Sequence, residues 1–120
     1  MVRRLVFAAA LVAHLVALYT PKSPPLPSSV IGVDKLVHIA LFAVVLYTGV
    51  RAGLPLRLLV PALLANAVVS ELAQYLFLAR RSGDVWDAVA DAIGVGLAYL
   101  VLRRLDRDRP GRPVVVREPA

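Results

Sequence analysis

Four long apolar runs, separated by short polar or proline-bearing breaks, dominate the chain. The first extends from about Leu5 to Tyr19 and is interrupted only by His14. The second follows Asp34 and Lys35 and runs from Leu36 to Val50, the third from Leu56 to Leu78, and the fourth from Val85 to Leu102. A bilayer core takes about 20 helical residues, with about 17 as the lower end of the range. The third run is long enough outright. The first and second span if flanking polar residues snorkel or the bilayer thins locally.

The breaks carry helix-stopping chemistry. Pro21-Lys22-Ser23-Pro24-Pro25-Leu26-Pro27 cannot continue a helix, because proline lacks the amide donor and clashes with the preceding turn. Ala52-Gly53-Leu54-Pro55 predicts a tight turn and an antiparallel hairpin of the second and third helices. Arg80-Arg81-Ser82-Gly83-Asp84 predicts a polar turn with Asp84 capping the fourth helix. The expected fold is all-α, an integral membrane bundle of four transmembrane helices at about 4–20, 34–52, 55–78 and 84–103. A disordered basic tail is expected over 104–120.

Composition agrees with that class. Of 120 residues, 59% are hydrophobic, more than a soluble domain of this size could hide. The length allows one compact unit. Cysteine is absent, which removes disulfides, thiolate nucleophiles and cysteine metal sites. A net charge of +6 raises nucleic-acid binding as a class. However, the basic residues sit at the ends of apolar runs and in the tail, without any nucleic-acid-binding motif, so no nucleic-acid partner is expected. The first run also has a rival reading as a cleaved signal peptide, with Arg3 and Arg4 ahead of it and Ala8, Ala9 and Ala10 within it. The apolar stretch continues well past those alanines, which favours a retained helix.

Charge orients the four helices. With the amino terminus inside, Arg3, Arg4, Arg51, Arg57 and the tail arginines (Arg103, Arg104, Arg107, Arg109, Arg112, Arg117) lie on the cytoplasmic side. Lys22, Lys35, Arg80 and Arg81 then lie outside. The positive-inside rule selects this arrangement and predicts both termini to be cytoplasmic, in a multi-pass protein of the cell membrane.

In that topology the polar residues within the apolar runs converge on one layer at the outer face. The second helix begins there with Asp34, Lys35 and His38; the third ends there with Glu71 and Gln74. The turn supplies Arg80, Arg81 and Asp84, and the fourth helix enters with Asp87 and Asp91. The spacings of three and four within each set place its members on one helix face. At about 1.5 Å per residue, Glu71 lies roughly 10 Å below the end of its helix, Asp91 about 9 Å below Val85 and His38 about 6 Å below Asp34. Similar depth on three helices predicts one cluster. A charge facing lipid at a helix centre costs about 2.5–3.5 kcal/mol on insertion scales, whereas facing partners it can pair or share protons.

Simpler roles exist for many of these groups. Asp34, Lys35 and Asp84 suit interfacial caps, Arg80 and Arg81 snorkelling anchors, and His38 a packed histidine with a carbonyl partner. Glu71 and Asp91 suit a purely structural salt link to a basic neighbour. His14 and Asn66 read as lone helix-packing groups, Gly94, Gly96 and Ala98 as a close-packing face, and Tyr19, Tyr75 and Trp86 as an outer aromatic belt.

Asp34-Lys35-x-x-His38 opening a membrane helix resembles the first signature of the VanZ-like family. Glu71-x-x-Gln74, then Arg80 or Arg81, Asp87 and Gly94 resemble the second. The resemblance covers residues 33 to 102. It departs at Asp91, where the family usually has asparagine, and the extra carboxylate changes the charge of any ligand set carried over. Membership implies a four-helix membrane protein. The family's founding member is linked to low-level resistance to teicoplanin, a glycopeptide whose target lies at the cell surface.

The expected partners are the lipid bilayer and a cell-envelope ligand at the outer layer: a lipid-linked phosphate, a headgroup or a glycopeptide. Lys35, Arg80 and Arg81 are the candidate phosphate contacts. Neither a cofactor nor a resident metal is expected. The alternative is a membrane hydrolase in which His38, Glu71, Asp87 and Asp91 hold a divalent metal or act as acid and base, although no two-histidine or nucleophile motif accompanies them. Ion movement lacks polar groups through the inner half, apart from His14 and Thr48. A structural adaptor would tolerate loss of His38 and Glu71.

Overall fold

The computed structural model describes residues 1–21, 32–78 and 83–108, and within them the chain is all-helical. The four helices are α1 (Val2–Tyr19), α2 (Val33–Arg51), α3 (Leu56–Phe77) and α4 (Val85–Arg107). At about 1.5 Å per residue they measure roughly 27 to 35 Å, bracketing the ~30 Å hydrocarbon core of a bilayer. All four are long and apolar enough to cross a membrane. Two bounds differ from expectation. α1 begins at Val2, and α4 continues through Arg104 to Arg107, four residues into the segment expected to be disordered. Nothing between Arg103 and Arg107 stops a helix: Leu and Arg are good helix formers and no glycine or proline intervenes.

The α2–α3 turn forms as its residues dictate. Gly53 takes φ 100°, its amide donates to the Val50 carbonyl at 3.0 Å, and the Leu54 amide donates to the Gly49 carbonyl at 3.0 Å. This paired closure is a Schellman motif, which needs a left-handed residue after the helix and so favours glycine. Asp84 caps α4, its carboxylate accepting from the Trp86 amide at 2.9 Å.

Packing order departs from a simple up-and-down bundle. α2 and α4 run in the same direction and make the most extensive helix contact, whereas α1 packs on α2 and α3 and not on α4. Gly94 sets the α2–α4 approach: a Cβ there would collide with the Ile39 carbonyl. Gly96, grouped with it by sequence, faces open space and plays no part in the contact. Ala98 is buried in the core. With lipid as apolar as leucine, helix association rests on such close van der Waals approach.

The buried face of α2 is His38, Phe42, Val45, Leu46 and Gly49, and that of α4 is Asp87, Ala90, Asp91, Gly94, Val95, Ala98 and Leu102. Both follow helical spacing. The exposed surface, by contrast, is rich in Leu, Val, Phe, Tyr and Trp, while His14, His38, Ser70, Glu71, Gln74, Asp87 and Asp91 are buried. Apolar outside and polar inside is the distribution a bilayer demands. The starts of α2 and α4 and the end of α3 share one end of the bundle, the polar end. Arg3, Arg4, Arg51, Arg57, Arg103, Arg104 and Arg107 gather towards the other, basic end.

Candidate functional site

The polar end is built by three helices. From α2, His38 is buried and its Nδ1 lies 2.8 Å from Asp91 Oδ1 of α4. Its Nε2 lies 3.9 Å from Asp87 Oδ2. One turn nearer the surface, Lys35 Nζ donates to Asp87 Oδ1 at 3.0 Å and to Asp84 Oδ2 at 3.4 Å. Lys35 and Asp84 are partly exposed, so this ion pair orients Asp87 more than it stabilises the bundle. The Trp86 amide, with help from Lys35, holds the Asp84 carboxyl below the usual aspartate range.

α3 contributes Glu71, whose Oε2 accepts from the Asp84 backbone amide at 2.8 Å. That bond ties the end of α3 to the start of α4. Gly83 makes it feasible, because a side chain there would strike the Glu71 carbonyl and the Tyr75 Cβ. One ligand-type atom each of His38, Glu71 and Asp91 lie within 4.8 Å of one another, and the same holds for Asp34, His38 and Asp87. Two buried carboxylate oxygens, Glu71 Oε1 and Asp91 Oδ2, have no hydrogen-bond partner among the described residues. His14 Nδ1, buried on α1, is in the same state, and buried polar atoms are rarely left so.

Comparison with protein-family models, curated proteins and solved structures finds no match.

Most of the residues singled out by sequence come together. Asp34, Lys35, His38, Glu71, Asp84, Asp87 and Asp91 form the layer, with Asp34 at its exposed rim. Gln74 turns away from it: its amide donates to the Leu18 carbonyl of α1 at 3.0 Å and ties α1 to α3. Arg80 and Arg81 lie outside the described residues. The only lysine among the described residues, Lys35, is committed to Asp84 and Asp87, so the described part of the site is rich in carboxylates.

A second polar network lies deeper. The Tyr19 hydroxyl donates to Asn66 Oδ1 at 2.7 Å, and Asn66 Nδ2 faces His14 Nε2 at 3.0 Å. The His14 ring meets Phe42 edge-on, with centroids 4.6 Å apart. His14 and Asn66 are therefore partners rather than lone groups, and Tyr19 is a half-buried network member rather than a belt residue. Tyr75 and Trp86 are exposed near the polar end, as a belt requires. Ser70, fully buried and donating to the Ala67 carbonyl at 3.2 Å, was not anticipated. The series Asn66, Ser70, Gln74, four apart on one helix face, was the signal for it.

Proposed function

We propose that this chain is a VanZ-like, multi-pass protein of the cell membrane whose polar end is an outer-face site for a cell-envelope ligand. The ligand class is the polar part of an envelope lipid, a lipid-linked phosphate or headgroup, or a glycopeptide of the teicoplanin type. The observation that carries the reading is a buried layer from three helices with two carboxylate oxygens that have no hydrogen-bond partner among the described residues. Burying ionisable groups at membrane depth is costly and marks functional positions. The resemblance of Asp34-Lys35-x-x-His38 and Glu71-x-x-Gln74 supports the same reading. The outward direction of the polar end follows from the basic opposite end, and both termini are then cytoplasmic.

The test is phenotypic. Cells carrying wild type, His38→Ala or Glu71→Ala at matched membrane levels are challenged with teicoplanin-type glycopeptides and other envelope stress. Both variants should lose whatever protection wild type confers while remaining inserted. Equal protection by wild type and inserted variants would make the layer structural and end the ligand reading.

A second reading is hydrolysis of the envelope ligand. It is favoured by the placement of His38 between Asp91, which fixes its ring at Nδ1, and Asp87 on the Nε2 side. An imidazole oriented by a buried carboxylate is the arrangement of a general base. Release of inorganic phosphate from a lipid-linked phosphate, lost in His38→Ala, separates turnover from binding.

A further inference from the structure

We propose that His38, Glu71 and Asp91 form a binding site for one first-row divalent transition-metal ion of the Zn²⁺ class. The proposal rests on the reading of the polar end as a ligand site and names what completes it. Three helices each contribute one donor, and the three donor atoms lie within 4.8 Å of one another. Tetrahedral metal–nitrogen and metal–oxygen bonds of about 2.0–2.2 Å set ligand atoms roughly 3.3–3.6 Å apart, so donors that lie within 4.8 Å of one another need to close by about 1.5 Å at most. The residues are 3%, 8% and 0% exposed, which makes them a buried cage rather than a surface acid cluster.

An independent observation points to a cation. Glu71 Oε1 and Asp91 Oδ2 are buried with no hydrogen-bond partner among the described residues. Lys35 does not serve them, because its ammonium is engaged with Asp84 and Asp87. Orphaned carboxylate oxygens in a low-dielectric setting are acceptors without a donor, and a bound cation satisfies both.

The donor set selects the ion. Magnesium and calcium prefer all-oxygen shells, whereas one imidazole with two carboxylates suits zinc and its neighbours. The second triple, Asp34, His38 and Asp87, shares His38, but Asp34 is exposed and Asp87 already faces the Lys35 ammonium. The buried triple is therefore the site. Binding takes place on neutral imidazole and ionised carboxylates, and a proton held between His38 Nδ1 and Asp91 Oδ1 leaves for water as the ion arrives.

Three protein ligands leave a coordination position open. An anionic headgroup oxygen would take that position, and the ion would offset part of the repulsion that this carboxylate-rich layer otherwise exerts on a phosphate.

The test uses the full chain, purified without a polyhistidine tag in detergent micelles and stripped with EDTA. Titration with Zn²⁺ by calorimetry, and with Co²⁺ by visible absorption, should give one ion per chain. Asp91→Asn and Glu71→Gln, both close in shape to the native residue, should each weaken binding by about ten-fold or more. His14→Gln, at the only other histidine, should leave binding unchanged. The zinc X-ray absorption spectrum of wild type should read one imidazole among oxygen ligands, and this holds the proposal to account even if a variant misfolds. Absence of stoichiometric binding, unchanged affinity in folded Asp91→Asn and Glu71→Gln, loss of binding in His14→Gln, or a shell with no imidazole or with several would each overturn it. The titration contains no envelope ligand. Its failure would leave the phenotypes of His38→Ala and Glu71→Ala standing, and loss of those phenotypes would leave the titration standing.

Discussion

His38 and Asp91 form the innermost pair of the polar layer, 2.8 Å apart and nearly or fully sealed from the surface. Each is the other's principal partner, so removing one strands the other. Asp91→Leu fills the space with an apolar group but leaves a buried imidazole without its acceptor, a loss of about 1–3 kcal/mol. Asp91→Asn retains an oxygen for His38 Nδ1 and should lose less. Thermal unfolding in micelles, followed by far-UV circular dichroism, should rank wild type first, then Asp91→Asn, then Asp91→Leu. If the leucine variant melted no lower than the asparagine variant, the pair would contribute nothing to holding α2 on α4. Lys35 differs in kind: its ammonium is partly exposed, and its bonds to Asp84 and Asp87 are open to screening.

Among the helices, the parallel pair α2 and α4 positions the site, and its geometry depends on a missing side chain. A Cβ at Gly94 would meet the Ile39 carbonyl, and a backbone atom cannot swing aside as a flexible side chain would. Gly94→Val should therefore separate the two helices, at a cost of about 1–3 kcal/mol from overpacking. Gly96→Ala, which meets open space, should stay within about 0.5 kcal/mol of wild type. Unfolding midpoints of the two variants check this, and equal effects would refute Gly94 as the contact. The contrast marks what could be read from sequence. Hydrophobic runs and proline breaks located all four helices, because spanning length and helix stopping are local properties. The spacings Asp34 to His38 and Asp84 to Asp87 to Asp91 likewise placed each set on its own face. Which helices become neighbours is not local. The pairing of α2 with α4 depends on the Gly94 approach, and small-residue spacing alone could not separate Gly94 from Gly96. For the same reason Gln74 was grouped with Glu71, although it reaches across to Leu18. His14, Asn66 and Tyr19 looked unrelated because their partners lie 47 and 52 residues apart.

The bundle as assembled has a strong axial asymmetry. Asp34, Glu71, Asp84, Asp87 and Asp91 occupy one end, and arginines from α1, α2, α3 and α4 occupy the other. Anionic headgroups and the positive-inside rule act on that asymmetry, each basic residue near an anionic leaflet contributing on the order of 1 kcal/mol. The basic end should face the cytoplasm, which would turn the His38–Glu71–Asp91 layer towards the outside, as the proposed envelope ligand requires. Because the chain has no cysteine, single introduced cysteines report orientation without background. Val85→Cys lies at the start of α4 on an exposed position, and Leu54→Cys lies in the α2–α3 turn at the opposite end. A membrane-impermeant maleimide added to intact cells should label Val85→Cys at once and Leu54→Cys only after permeabilisation. The reverse pattern would place the polar layer inside. It would then withdraw the glycopeptide and outer-leaflet ligands together, since neither could meet the site, while the metal proposal, whose three ligands are the same in either orientation, would survive.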